Sequence, residues 1–537
     1  MKKHLKKLLT LFVVVCLSAG LSACTSKSQE GNTTTGTTQN TVQTSQDSVA
    51  PSATITLDRE YYVEWWRTNQ EGITWEKDGP VSQWLVERTG VGMYSPLVIW
   101  ESGKGYSSKL QTRAATGDLP DIFMPRDGIE KTLIEDGMIW DISEYLQVYA
   151  PNVWSRIPES IWDVVRTSDP SGKGGIYYIP NVQQFNGFAS FIRKDWLDEA
   201  GLGIPTTQAE YVDALRAFKK RGADVLPTIG RENGRWMDHL FFMYDVAMYE
   251  GHPCFDVYDG QVTYSAVTPN MKEAITFIRG LYNEGLLDNE TFLNKANTLW
   301  EKVKTNRVGS WFHIPNGLDG MALDDLLKVE PKADVVVLPR IAAPGYEGYI
   351  TVKQIWGPYW AFGKKDEKTF IASLKMLDWL ANLANEEEIR YGVQGLHYNL
   401  VDGKKVKNVD FDTNKIEKQV GFGAITTPKE YIESKSIAVN DPAQKEYIIN
   451  SARQAIRAVE TAEIDRSRPV AEDGLPAMVF DGFPDIASRK LYQEYMTKII
   501  IGDLPVEAFD EFVKKWNETG GEEVTKRVRE WYTKIKK

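Results

Sequence analysis

Cysteine is nearly missing from this chain: Cys16, Cys24 and Cys254 are the only three among 537 residues. Cys16 and Cys24 lie in or next to an N-terminal apolar segment, so the body beyond it has one thiol and no internal disulfide. A large apolar core must hold the fold. Histidine is almost as scarce, at five. No metal-ligand spacing occurs, and His252-Pro-Cys254 is too short and stiff to make one, so Cys254 reads as a packed thiol. Walker A, G-x-S-x-G and dinucleotide fingerprints are all lacking. Carboxylate pairs could be drawn anywhere from 74 acids and therefore say little. Neither catalysis nor a cofactor is expected. Asp169-Pro-Ser171-Gly-Lys173 opens like a calcium loop, but Lys173 and Pro180 stand at its fifth and twelfth positions, so a turn is expected and no metal.

Long apolar runs are also lacking. Leu8 to Leu17 is the longest, too short for the ~20 residues that span a bilayer. Preceded by Lys2, Lys3, Lys6 and Lys7 and closed by small residues, it reads as a secretory signal over 1–23. Leu21-Ser22-Ala23-Cys24 resembles the lipobox of bacterial lipoproteins, which implies acylation of Cys24. At ~0.8 kcal/mol per buried CH₂, several acyl chains anchor durably. The expected location is the outer face of the cell membrane, of Gram-positive type. Residues 24–54 are Ser-, Thr-, Gln- and Asn-rich and read as a disordered tether with an r.m.s. reach of roughly 30 Å.

Basic charge is in deficit. The signal holds four of the 63 basic residues and none of the 74 acidic ones, which leaves the mature chain at −15. That balance disfavours nucleic acid and anionic lipid as ligands, so membrane contact is expected through the lipid anchor alone.

What the body does have is alternation of short apolar runs with helical periods, the mark of an α/β architecture. Ala53 to Leu57, Glu60 to Trp66, Met93 to Trp100 and Lys332 to Pro339 read as strands. Helices are expected from Gly79 to Gly90, after the capping box Thr207-Gln-Ala-Glu210, after Thr268-Pro269, and over Phe370 to Leu383. Two amphipathic helices separated by Gly520-Gly521 close the chain.

Several of these segments, in this order, carry a resemblance. Gly117-Asp-Leu-Pro-Asp-Ile122, Gly175-Ile-Tyr-Tyr-Ile-Pro180 and Arg193-Lys-Asp-Trp-Leu-Asp198 with Ile204-Pro-Thr-Thr207 resemble family 1 of the extracellular solute-binding proteins. Tyr391 to Tyr398 and Ile500 to Phe512 look like its large LplA-type lipoprotein subgroup; Arg307 to Phe312 matches only loosely. The resemblance implies the substrate-binding component of an ABC importer with a two-lobed, type II periplasmic-binding-protein-like fold, a hinge between lobes and a helical C-terminal extension. The expected division is 55–180 and 341–400 in the first lobe, 181–340 and 401–537 in the second. Crossings are placed after Tyr178-Ile-Pro-Asn181 and near Leu338-Pro-Arg-Ile-Ala342, with a third beyond Leu383. A monomer is expected, with permease subunits as its protein partners.

The subgroup mostly handles sugars. A pyranose presents an apolar C–H face and a rim of hydroxyls, which suits flat aromatic rings beside planar polar groups. The chain has 17 Trp, 24 Tyr and 20 Phe. Position at strand ends selects Trp65, Trp66 and Arg67, of whose two indoles only one is expected to face the ligand. It also selects Arg126 and Asp127; Gln184, Asn186 and Phe188; Trp236 with Asp238 and His239; Trp311 and His313; Trp356, Tyr359 and Trp360; and His397 and Tyr398. The expected ligand is an oligosaccharide. A surface glycosidase remains the rival reading, as does the same fold with a peptide or an acidic sugar held by Arg67, Arg126, Arg193 or Arg235.

Overall fold

The computed structural model describes residues 57–66, 74–99, 103–182, 188–315, 318–407, 442–464 and 468–536. The expectations for 1–54, the Ala53–Thr56 part of the first strand, Arg67, Gln184 and Asn186 fall outside them, as does the side chain of Trp356. Among the described residues no helix is long and apolar enough to cross a membrane.

Local signals became local structure. Pro80–Thr89 is a helix closed by Gly90 in the left-handed region, φ 77°, where a side chain would be strained. Thr207 caps Gln208–Lys219 by accepting from the Glu210 N–H, while the Glu210 carboxylate accepts from the Thr207 N–H. Thr268 and Pro269 open Pro269–Asn283, which buries Met271, Ala274, Ile275, Ile278 and Leu281. Two strands differ in extent from expectation. The run placed at Met93 to Trp100 is a strand only over Val91–Tyr94, with Ser95 in an antiparallel bridge to Trp75, and Pro96 has no N–H to continue the ladder. Lys332 to Pro339 contributes only Val335–Val337.

Two sheets organise the body. In one, Val91–Tyr94 pairs parallel with Tyr61–Glu64, and a parallel bridge from Trp65 to Ile122 extends the layer to Ile122–Phe123. Ile355–Phe362 then lies antiparallel between Ile122–Phe123 and Tyr178–Val182. The other sheet has the order Val335–Val337, Ala189–Arg193, Val308–His313, Leu226–Thr228. Ala189–Arg193 runs antiparallel to both its neighbours, and Leu226–Thr228 runs parallel to Val308–His313.

Each sheet is buried in its own apolar cluster. One spans Tyr61 to Val182 and Tyr359 to Ile389; the other spans Phe188 to Ala343 and Ala455 to Val528. Val182 thus belongs to one cluster and Phe188 to the other. In each sheet the antiparallel strand is the one that arrives from the other cluster. The C-terminal helices Lys490–Ile501, Ala508–Trp516 and Glu522–Ile535 build onto the second cluster, where the Arg279 guanidinium donates to the carbonyls of Ile499 and Leu504. Trp531 reaches back, its indole N–H donating to Thr167 Oγ1 at 2.9 Å.

Candidate functional site

Strand direction determines where a ligand can be held. In the first lobe the strands ending at Trp65, Tyr94, Phe123 and Val182 all run the same way, so one edge collects their carboxyl ends. In the second lobe the parallel strands end at Thr228, His313 and Val337, and the incoming strand begins beside them at Ala189. Ligands of open α/β sheets settle outside such carboxyl ends. Six Cα steps separate Val182 from Phe188, which limits these two strand ends to a separation of at most ~21 Å.

On the first edge the two adjacent indoles diverge, as strand alternation requires. Trp66 is spent inside the lobe: its N–H donates to Glu64 Oε1 at 2.8 Å, its ring meets Tyr106 edge-on at 5.7 Å, and the cations of Lys109 and Arg113 lie over it. Arg113 also grips Glu64 through two 3.0 Å bonds. Trp65 turns the other way and meets Trp360 edge-on at 5.0 Å, with Tyr359 tilted against Trp360 at 4.2 Å. The indole nitrogens of Trp65 and Trp360 are buried without a partner. Asp127, with φ 58°, accepts from Ser107 at 2.6 Å, and the Arg126 guanidinium lies against Gly103, where a Cβ would sit 3.1 Å from Nη2.

The second edge is more polar. The segment after Leu226–Thr228 turns back on itself through an Arg231 N–H bond to the Arg235 carbonyl. Trp236 follows at φ 58°, standing perpendicular to the His313 ring at 4.4 Å and tilted toward Trp300 at 5.7 Å. The Arg231 guanidinium lies 4.5 Å over the Trp236 ring and pairs with Glu232 at 2.7 Å; Arg235 pairs with Glu250. Gly251 is required here: at φ 77°, its Cβ would fall 2.6 Å from the Arg235 Cα. Its N–H donates to Asp238 Oδ1 at 2.8 Å. Beneath the segment, the buried Lys302 ammonium donates to Asp288 at 2.9 Å, Glu290 at 2.7 Å and Asn294 at 2.9 Å. Asn294 in turn donates to the Gly230 carbonyl and accepts from the Glu232 N–H through its own carbonyl.

Burial pushes the imidazoles of His239, His252 and His313 down to about 3, with nearby cations adding to the effect at His252 and His313. All three are neutral near pH 7. Burial, aided by Glu250, pushes the Asp238 carboxyl up to about 7. Unpartnered buried polar atoms gather here: Arg231 Nε, Arg235 Nε, Trp236 Nε1, Asp238 Oδ2 and the Nδ1 atoms of His239, His252 and His313. The edge can therefore offer rings, obligate donors and neutral imidazoles, the equipment of binding.

The remaining sequence candidates lie apart from these groups. Trp311 is buried two residues short of the edge and tilts against Phe191 at 5.6 Å. His397 is buried, its Nδ1 accepting from the Val393 N–H at 2.8 Å, and Tyr398 packs with Tyr391 under Lys405 in a separate hairpin. Asp169 closes a turn by accepting from the N–H groups of Ser171 and Gly175 and from the Ser171 hydroxyl. Among the described residues no group of three or more His, Cys, Asp or Glu could hold a metal ion. Sequence reasoning missed Arg231, Glu250, His252 and Trp300. Arg231 shares the Gly/Arg/Asn-rich loop that drew attention to Trp236, whereas Trp300 sits in an ordinary amphipathic helix and gave no signal. A cavity of about 510 Å³ lies elsewhere, between Gln261-Val262 and Arg529 to Lys536.

Residues 97–386 match the family model described as bacterial extracellular solute-binding protein. Among curated proteins, the chain is 22% identical to lipoprotein LipO of Bacillus subtilis (strain 168), over 82% of this chain and 86% of that one. It is also 22% identical to the polygalacturonan/rhamnogalacturonan-binding protein YtcQ of the same organism, with the same coverage. Among solved structures, the alginate-binding protein AlgQ2 without calcium ion superposes with a TM-score of 0.65 at 18% identity, over 90% of this chain and all of that one. The S. pneumoniae substrate-binding protein FusA in complex with kestose gives 0.62 at 18%, over 89% and 98%.

Proposed function

Because the chain belongs to the bacterial extracellular solute-binding protein family, we propose that it captures an oligosaccharide between its two lobes and delivers it to the permease of an ABC importer. What supports this reading is a set of rings at the carboxyl ends of each lobe's sheet: Trp65, Tyr359 and Trp360 in one, Trp236, Trp300 and His313 in the other, with Arg231 and Arg235 alongside. Flat rings cover the C–H face of a sugar while guanidinium and imidazole groups bond its rim. Micromolar capture needs only about −8 kcal/mol net, which two or three stacked rings with several hydrogen bonds can supply. The sugar leaves unaltered, and acylated Cys24 holds the body at the outer membrane face, where it acts as a monomer. The proposed lobe boundaries are 55–180 with 341–400 and 181–340 with 401–537.

Within that reading, an acidic sugar is favoured by one set of atoms. Arg231 Nε, Arg235 Nε and Trp236 Nε1 can only donate, and all three are buried without acceptors. A carboxylate supplies acceptors in the fork geometry a guanidinium prefers. The name of the relative YtcQ, which binds polygalacturonan and rhamnogalacturonan, supports the same direction.

Thermal unfolding of residues 25–537 with neutral and galacturonate oligosaccharides tests both levels. A true ligand at 100 times its Kd stabilises the fold by roughly 2.7 kcal/mol. No shift with any oligosaccharide refutes the sugar reading, and release of reducing ends refutes capture without cleavage. A shift with neutral sugars alone refutes only the acidic one.

A further inference from the structure

The last helix of the chain belongs to the second lobe and yet touches the first. Val524 and Val528 of Glu522–Ile535 lie in the second-lobe cluster, and Arg529 Nε donates to the Val262 carbonyl at 2.7 Å. Arg527 fastens an earlier turn to the same helix. Its Nη1 donates to the carbonyls of Val479 and Asp481 at 3.2 and 2.8 Å, and its guanidinium lies 5.0 Å over the Phe483 ring. Gly520, at φ 115°, leaves room for that ring; a Cβ there would fall 2.1 Å from Phe483 Cδ1. Turn and helix are thus one piece, carried by the second lobe.

This piece meets two helices of the first lobe. The Trp531 N–H donates to Thr167 Oγ1 at 2.9 Å, while the Thr167 hydroxyl donates to the Val164 carbonyl at 2.6 Å. Thr167 follows Glu159–Arg166, which buries Trp162 and Val165 in the first-lobe cluster. On the same helix, Val164 Cγ1 would lie 2.4 Å from a Cβ at Gly474. Asp481 pairs with Lys131 of Ile129–Glu135, and Ala477 lies against Gly128, just after Arg126 and Asp127. These contacts differ in weight. The side chains of Lys131 and Asp481 are 36% and 49% exposed, so solvent screens their pair and it contributes little. Trp531 is 5% exposed although it belongs to the apolar cluster of neither lobe. The contact between lobes covers the indole, and Thr167 satisfies its N–H.

We propose that Trp531 is a latch between the lobes: carried by the second, it holds the first through Thr167 and so fixes their resting angle. Lobes joined by a modest interface move relative to one another by default, and a buried ring with a directed hydrogen bond opposes that motion. Apparent affinity scales with the fraction of molecules at the angle that binds, so the latch tunes capture without a ligand contact of its own. The inference rests on the two-lobed fold and is independent of what the cleft holds.

The test is a distance distribution from spin labels at Leu383→Cys in the first lobe and Leu293→Cys in the second, both exposed, on ligand-free residues 25–537. Trp531→Ala should widen the distribution about twofold, since unlatched lobes sample more angles. Lys131→Ala should change it far less. The control is Val528→Ala, one turn earlier on the same helix but buried within the second-lobe cluster. It should lower the unfolding temperature and leave the distribution as it was. If Trp531→Ala does not fold, Thr167→Val is read instead; it keeps the shape, removes the acceptor and should still widen the distribution. A wider distribution or a displaced mean in the latch variant alone supports the proposal. Unchanged mean and width in the folded latch variant, or the same change in Val528→Ala, overturns it.

Discussion

The Trp236 indole stands at 85° to the His313 imidazole with 4.4 Å between ring centres, and these two residues come from segments 77 positions apart. Trp236 lies in the loop after one parallel strand and His313 at the end of its neighbour, so the sheet itself sets their geometry. Replacing Trp236 with Ala should weaken oligosaccharide binding about tenfold, near 1.4 kcal/mol, with a modest change in unfolding temperature. Calorimetric titration beside thermal unfolding separates the two effects.

Trp66 should behave in the opposite way. Its ring and N–H are engaged inside the first lobe, so Trp66→Ala should cost about 3–5 kcal/mol of stability. The fraction that remains folded should bind with unchanged affinity.

Arg231→Gln removes a guanidinium whose Nε has no acceptor. Binding of a galacturonate oligosaccharide should weaken about tenfold and that of a neutral one far less, because only the former forms a charge-assisted pair. Equal losses for both would assign Arg231 to support of Trp236.

Lys302 touches no proposed ligand group, yet it holds Asn294, which holds the carbonyl of Gly230. Lys302→Ala leaves Asp288 buried without its cation and should destabilise the protein by about 3–5 kcal/mol. Affinity should fall as well, since the Arg231–Trp236 segment loses its floor. Denaturant unfolding and titration of the same samples report both.

Stability should depend on pH with two opposed contributions. The folded-state values of His239, His252 and His313, about 3, lie below the unfolded ~6.5. Their contribution is complete above ~6.5 and lost as pH falls toward 3. Asp238 and Asp473, raised to about 7 and about 6, contribute stability at low pH that is lost as pH rises from ~4 through those values. Three groups against two leave a net loss on acidification from pH 6 to 4. His313→Gln should flatten that loss and Asp473→Asn should steepen it, as read from unfolding temperatures across the range.

Much of the proposed site can be reached from the sequence because strand ends can be read from local pattern. Trp65, Arg126, Trp236, Tyr359 and His313 were all selected by position after or within an apolar run, and all stand at the carboxyl edges. The same reasoning picked His397, whose burial in a separate hairpin depends on contacts that local pattern does not encode. Trp300 escaped for the converse reason: it reaches Trp236 only through the packing of its helix.

The strand exchange between the two sheets also bears on biogenesis. Ile122–Phe123 and Tyr178–Val182 lack their shared neighbour until Ile355–Phe362 has been synthesised. Some two-thirds of the polypeptide must therefore leave the ribosome before the earlier half can close its interior. A chain delayed in this way stays loosely folded during translation, which is the condition that threading through an export channel demands.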